Sequence, residues 1–440
     1  IEWKNTPGWE EWTSISHKPC RGGIVGGDDL IVVMGSGVYT INENKFATFI
    51  GVLSTTSGNV DLAYDGFSVI ITDGIDMRLW DGTTLSIVST GMSNPTGVIF
   101  HDGFFVAFDK GTGQFYISDK FDGTTWNALQ FATAEDKPDN ITQLGSDRSL
   151  IIGGEYTTQF YYNDGSVFPF QPNPQGRLLY GVVPNTMAQL DNTTYWLSKT
   201  KGGGYVVLRA SGYVPEPVSS KHISNFISTM TAPEDVRAIS VFWEGNEWYV
   251  LNFYTDQKTL VFDTLGVWFE WGNVVSGQGV GELPFIDVLF YKGMSLLLAK
   301  DSGTIYKLSS SLYQHADEVM SSSFISNILS SDQQRIFLSE LIIDMSTGIS
   351  ENNTQAKIEL AVSKDGGKSY GSWRSKDLGL DGNYAHRVKW HHLGSGYDMT
   401  LKCRITDNIP RTFSSAVLNA SVYESYLDRR NERPGIPQES

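Results

Sequence analysis

Leu30-Ile-Val-Val-Met34, Gly35-Ser-Gly37, Val38-Tyr-Thr-Ile41 is a strand, a tight turn and a second strand within twelve residues. The β-branched run has no room for a helix, and Gly-Ser-Gly supplies the backbone freedom that a tight reversal needs. The same unit recurs six more times. Phe67-Ser-Val-Ile-Ile71 turns at Thr72-Asp-Gly74 into Met77-Arg-Leu-Trp80, and Phe104-Phe-Val-Ala-Phe108 turns at Asp109 into Phe115-Tyr-Ile-Ser118. Leu150-Ile-Ile-Gly-Gly154 leads to Thr158-Gln-Phe-Tyr-Tyr162, and Tyr195-Trp-Leu197 passes through Lys201-Gly-Gly-Gly204 to Tyr205-Val-Val-Leu208. Trp248-Tyr-Val-Leu-Asn-Phe253 leads to Thr259-Leu-Val-Phe262, and Met294-Ser-Leu-Leu-Leu298 turns at Asp301-Ser-Gly303 into Thr304-Ile-Tyr-Lys-Leu308.

A lone hairpin cannot bury both of its faces. Hairpins repeated every roughly 40 to 55 residues can, if each small sheet covers its neighbour around an axis; that period suits a four-stranded propeller blade. A series of sandwiches would not need units so regular. The chain is therefore expected to be all-β, with a β-propeller of six or seven blades over 20–312. One helix is expected near Ser219–Met230, where Ile223, Phe226 and Ile227 have helical spacing. Residues 1–19 read as an N-terminal segment open to pairing with the C-terminal module. The Ser-rich stretches Ser309-Ser-Ser311 and Ser321-Ser-Ser323 mark 313–335 as a linker or crossover. Period-2 alternation then resumes in Phe337–Met345, Ala356–Ser363, His386–Trp390, Met399–Thr406 and Val417–Tyr426, giving a sandwich-like β-module over 336–426. The tail 427–440, rich in Arg, Glu and Pro, reads as extended.

Composition narrows the function. The chain has 440 residues, 40% hydrophobic and 19% charged, which is globular rather than disordered. Its net charge of −16 argues against a protein that grips nucleic acid by phosphates. No stretch approaches the ~18 apolar residues of a spanning helix, so membrane insertion by this chain is not expected. Cys20 and Cys403 are too few for a disulfide framework and read as buried free thiols.

Ser363-Lys-Asp365-Gly-Gly367-Lys-Ser369-Tyr370 has the form of an Asp-box. Its Asp and Ser side chains can bond turn amides while the aromatic packs beneath, so Ser363, Asp365, Gly367, Ser369 and Tyr370 are expected to form a structural turn. Asp-boxes also occur in sialidases. This makes a glycosidase-like or carbohydrate-binding propeller the alternative function, but no arginine cluster for a substrate carboxylate is assignable. Asp119 with Asp122, and Glu155 with Asp164, are candidate acid/base pairs that abundant carboxylates also produce by chance. His386, His391 and His392 cluster in sequence without a metal motif beside them. Gly202-Gly-Gly204 lacks the Lys-Ser/Thr of a phosphate loop. No catalytic residue, metal site or cofactor is expected.

An ordered set of segments resembles a known family. It comprises Cys20-Arg-Gly-Gly23; Phe115–Trp126 running into Leu129–Asn140; Thr158-Gln-Phe-Tyr-Tyr-Asn-Asp-Gly165 with Phe168-Pro-Phe170; and Leu190–Leu197. It continues with Ser363–Ser369, Trp390-His-His-Leu-Gly394 and Arg404-Ile-Thr-Asp407. Together, over about Pro19 to Val422, they resemble the packaged-DNA stabilisation proteins of P22-like podoviruses, the tail hub or nozzle proteins. The histidines of Trp390-His-His-Leu-Gly stand where arginines are common in that family, and Ser369-Tyr370 stands where Thr-Trp is common. The resemblance implies a non-enzymatic virion protein of the phage tail, assembled in the bacterial host cytoplasm. It implies a homo-hexameric ring below the portal and its adaptor ring. Such a ring continues the DNA channel without sequence-specific binding, helps retain the genome, and carries tailspikes or fibres and a needle or tip.

Overall fold

The computed structural model describes residues 3–133, 139–190, 192–200, 202–275, 279–316, 318–351 and 354–422. The tail 427–440 lies outside them. The chain divides into two compact units, one formed by Glu10–Leu308 and the other by Ile1–Trp9 with Ser309–Ser440.

The first unit is a seven-bladed propeller, the upper of the two expected counts. Six blades are four-stranded antiparallel sheets over 20–52, 61–87, 95–133, 141–178, 188–217 and 236–270, each built in simple strand order. The seventh takes three strands, Phe285–Tyr291, Met294–Ala299 and Thr304–Ser309, and borrows its fourth from Gly8–Ser14 near the N-terminus; at Trp9 that strand also pairs in parallel with His315 of Gln314–His315. Ile15 N–H donates to Gly303 O at 3.1 Å beside that join. Residues 10–14 thus belong to the propeller, which corrects the reading of 1–19 as one segment open to pairing with the C-terminal module; within it Trp3–Lys4 pairs with Thr412 and Phe413 of that module. The signal was missed because one short strand, separated by ~290 residues from its partner, carries no repeat.

The first strands of the blades line the axis. Blades 1 to 4 adjoin through them in sequence, as do blades 5, 6, 7 and again 1. Between blades 4 and 5 the amide oxygen of Gln143 accepts N–H groups of Thr186 at 2.9 Å and Met187 at 2.8 Å. Glycine makes the closest seams possible. A Cβ on Gly22 would fall 2.9 Å from Val60 of blade 2, and one on Gly23 would fall 3.0 Å from Leu289 and Leu298 of blade 7. Separate apolar clusters fill the seams from blade 1 round to blade 6 and the one between blades 7 and 1. Trp12, Leu30, Val32, Leu289, Leu296 and Leu298 belong to the last of these, so burial is shared around the ring rather than gathered at one centre.

The expected helix forms as Lys221–Ser228, between blades 5 and 6. Ser220 caps it, its hydroxyl accepting from Ile223 N–H at 3.3 Å, and Ile227 is buried.

The second unit packs two four-stranded sheets face to face. One is ordered Trp3–Lys4, Thr412–Val422, Ile336–Met345, Val388–Gly396; the other Ser322–Ile325, Thr400–Ile405, Lys357–Ser363, Arg374–Asp377. Leu338, Leu341, Ile343 and Trp390 meet Ile358, Leu360, Leu401 and Cys403 between them. Ser322–Ile325 is a working strand of this unit, and Gln314–His315 pairs with Glu318–Val319, so 313–335 is not a linker. Its serines are divided between short strands and turns, Ser322 half-buried against Arg411 and Ser323 exposed, a pattern that composition alone cannot tell from a loop. The alternation in Ile336–Met345 slips phase at a bulge between Leu338 and Glu340. Opposite it His392 takes φ +57°, and two consecutive histidines are thereby left exposed.

Candidate functional site

The Asp-box sits where strand Lys357–Ser363 turns back, with Gly366 and Gly367 at φ +70° and +92°. Buried Ser363 donates its hydroxyl to Asp365 Oδ1 at 2.6 Å and accepts Gly367 N–H at 2.9 Å. Ser369 gives its N–H to Asp365 Oδ1 at 2.9 Å and its hydroxyl to Oδ2 at 2.5 Å. Tyr370 OH accepts from Thr400 Oγ1 at 3.2 Å. The Ser363 and Ser369 hydroxyls, with the Ser369 amide, hold the Asp365 carboxyl far below the usual carboxylate range. A carboxylate so fully engaged ties a turn together and has no proton to exchange.

The other candidates separate. Asp119 and Asp122 do oppose each other across a hairpin end, but the Asp122 carboxylate is taken up by the Thr124 amide and hydroxyl at 2.8 and 2.6 Å. Glu155 and Asp164 lie at opposite ends of Thr158–Asn163, about 20 Å apart for a six-residue strand. His386 bonds Asp377 O at 2.9 Å, while His391 stands 3.5 Å from Glu340. Among the described residues no group of three or more His, Cys, Asp and Glu side chains comes together. Gly202–Gly204 is part of a turn closed by Thr200 O, which accepts Gly203 N–H at 2.9 Å. Cys20 and Cys403 are free and buried, and burial pushes both thiols up to about 12.

Three features emerge that sequence reading did not single out. Arg21 is 4% exposed, and all its bonds go to one loop and one turn. Nε donates to Gly58 O at 2.8 Å, Nη1 to Gly35 O and Thr55 O at 2.9 Å each, and Nη2 to Thr55 Oγ1 at 2.7 Å and Ser57 O at 2.9 Å. The whole guanidinium fork is spent on fixing the joint between blades 1 and 2. The second feature lies on the axis. Arg237, from the first strand of blade 6, stands 3.9 Å from Asp287 of blade 7. Burial raises the carboxyls of Asp287 and of Asp61 in blade 2, and the Arg237 charge partly offsets this in both. The third is in the second unit, where Arg411 is fully buried and donates to Ser322 Oγ, Met320 O and Asp407 O at 2.8, 2.9 and 2.6 Å. All three are framework ties rather than reacting groups. A shallow cleft of about 320 Å³ between blades 1 and 2, lined by Asp29, Thr40, Thr48 and Trp80, offers a single carboxylate.

No curated protein sequence matches the chain. Solved structures that resemble it are distant. A virginiamycin B lyase from Staphylococcus aureus is 10% identical with a TM-score of 0.48, over 70% of this chain and 99% of that one. The WD40 domain of Neurospora crassa Pan2 is 10% identical at 0.42, over 70% and 96%. The extracellular domain of a putative one-component system from B. thetaiotaomicron is 10% identical at 0.47, over 93% of this chain and 59% of that one. Two family models match, in chain order: bacteriophage P22 Gp10, beta-propeller, over residues 7–313, and bacteriophage P22 Gp10, beta-sandwich, over residues 321–421. The matched spans follow the two units seen in the fold, and the chain therefore belongs to the bacteriophage P22 Gp10 family of phage stabilisation proteins.

Proposed function

We propose that this chain is the tail hub, or nozzle, subunit of a short-tailed phage. Six copies form a ring below the portal and adaptor, continue the DNA channel, help retain packaged DNA, and anchor tailspikes or fibres and the tail tip. The subunit works as a structural part of the virion and not as an enzyme. The observation that carries this reading is the pair of family matches, propeller then sandwich, over nearly all of the described chain. The net charge of −16 is compatible with a conduit, because a wall that held phosphates tightly would retard DNA leaving the capsid. The Asp-box gives no support to the carbohydrate-active alternative, since Asp365 is engaged within its own turn.

The test is the mass of the purified protein, alone and mixed with its portal–adaptor complex, by native mass spectrometry. Six copies, or a ring that forms only on the adaptor, is the expected result. A monomer that ignores the complex overturns the hub reading.

A further inference from the structure

In an antiparallel four-stranded blade, the turn after the first strand and the turn after the third lie at the same end. Because the first strands adjoin around the axis, these turns from all seven blades share one face of the propeller. That face is studded with large apolar side chains, at least one from every blade. Phe46, Phe67, Phe121, Val167, Leu265 and Phe290 represent blades 1, 2, 3, 4, 6 and 7, with exposures of 68%, 86%, 63%, 87%, 82% and 61%; Val214 serves blade 5. On the opposite face the large exposed apolar residues are Val52 of blade 1, Ile75 and Ile87 of blade 2, and Tyr156, Leu179 and Tyr180 of blade 4 with its following loop, so three blades of seven supply them. Water contact with so many aromatic and branched side chains is unfavourable, and a repeated array of them marks a surface that meets something.

The same turns are acidic. Asp65 holds the N–H groups of Phe67 and Ser68 at 2.7 and 2.6 Å, and Asp263 holds the N–H of Leu265 at 3.0 Å. The turn that fixes the negative charge therefore also carries the apolar tip. Asp28, Asp81, Asp102, Asp119, Asp164 and Glu244 add further exposed carboxylates. Exposed Lys45, Lys120, Arg148 and Lys292 also sit in these turns, Lys292 paired with Glu43 at 2.9 Å, but the carboxylates outnumber them and the face is net acidic. On the opposite face ion pairs recur: Lys199 with Glu234 at 2.6 Å, Arg78 with Asp76 at 3.7 Å, and Lys300 with Glu282.

We infer that this turn face is a docking surface for a different protein, one whose contact surface carries Lys and Arg among apolar side chains. Charge complementarity chooses that occupant. A second copy presenting the same face would set acid against acid, and nucleic acid would set phosphate against acid. Apolar tips ringed by carboxylates match a basic, apolar protein surface of similar breadth. The inference rests on the propeller alone and does not require a ring of any size.

The test uses full-length protein and, as probes, the other structural proteins of the same virion, each purified. Binding is measured for the wild type and three triple variants: Asp28→Lys/Asp119→Lys/Glu244→Lys, Phe46→Ser/Phe67→Ser/Leu265→Ser, and the opposite-face control Ile75→Ser/Tyr156→Ser/Leu179→Ser. Lysine is tolerated in such a turn, since Lys292 takes φ +46° in blade 7 where Glu244 takes +47° in blade 6. Melting temperatures of all variants are checked against the wild type. One virion protein is expected to bind the wild type, to lose about tenfold or more in affinity with each turn-face variant, and to bind the control unchanged. Binding that all three variants leave intact overturns the inference, as does a loss confined to self-association, which would make a second copy the occupant. A ring that still forms beside intact partner binding counts against this surface only. A missing ring beside turn-face-dependent binding counts against the hub reading only.

Discussion

At the scale of single residues, the side chains that matter most are buried and polar, and they behave as ties. His315 is the clearest case for a measurable consequence. Its ring stacks on Trp9 with centroids 3.6 Å apart and planes 8° from parallel. Burial, helped by the Arg411 charge, lowers its pKa from the ordinary 6.5 to about 3. The unfolded chain therefore takes up a proton near pH 6.5 that the folded unit refuses until about pH 3, so stability falls as pH drops through that window. The slope is at most about 1.4 kcal/mol per pH unit. Denaturant unfolding of wild type and His315→Phe between pH 7 and 4.5 should show the wild type losing more stability, with the variant flatter by part of that slope. Parallel curves would remove the argument; carboxylate titration is common to both proteins and cancels. None of this was legible in the sequence. The histidines that cluster in sequence are His386, His391 and His392, of which His386 is held to Asp377 O while His391 and His392 stay exposed at the bulge, whereas Tyr313-Gln-His315 has no pattern to mark it. Arg21 stood within a resemblance motif, but only the folded loop 53–60 shows that its five N–H directions are all spoken for. The Asp-box was the opposite case, because a turn motif is local and its hydrogen bonds are specified by spacing alone.

At the scale of elements, the propeller depends on a strand that is not in sequence with its blade. Residues 10–14 belong to the fourth strand of blade 7, and Trp12 there is 6% exposed and meets Tyr291 edge-on at 6.4 Å. A ring of blades left open at one seam would expose the cluster around Leu289, Leu296 and Leu298. Trp12→Ala should destabilise the first unit by about 3–5 kcal/mol, and protease should cut between blades 7 and 1 before other seams. Loss of stability without faster cleavage there would mean that Trp12 contributes packing but does not secure the closure. The seven central hairpins were readable because each repeats the same strand–turn–strand pattern, and repetition is visible without knowing partners. The closing strand, the short Ser322–Ile325 strand and the pairing of Trp3–Lys4 with Thr412 and Phe413 were not, or only as an option, because each is defined by a distant partner. The blade count stayed between six and seven for the same reason: the seventh blade is incomplete until the N-terminal strand is counted.

At the scale of the whole molecule, charge sets two opposed expectations that a single titration separates. Each copy carries −16, so copies in a ring repel one another, and that repulsion reaches about 30 Å at 0.01 M salt but only about 3 Å at 1 M. If the ring is held by apolar and hydrogen-bonded surfaces, raising salt screens the repulsion and the ring fraction rises. Docking of a basic partner on the acidic turn face has the reverse sign, since salt weakens an attraction between unlike charges. Sedimentation velocity between about 0.05 and 0.5 M salt should therefore show assembly of the chain with itself strengthening while its complex with the partner weakens. A ring that comes apart with added salt would mean that ion pairs between copies outweigh their net repulsion. The charge argument would then have to be rebuilt from the distribution of charge on each face, since net charge can be read from sequence and its placement cannot.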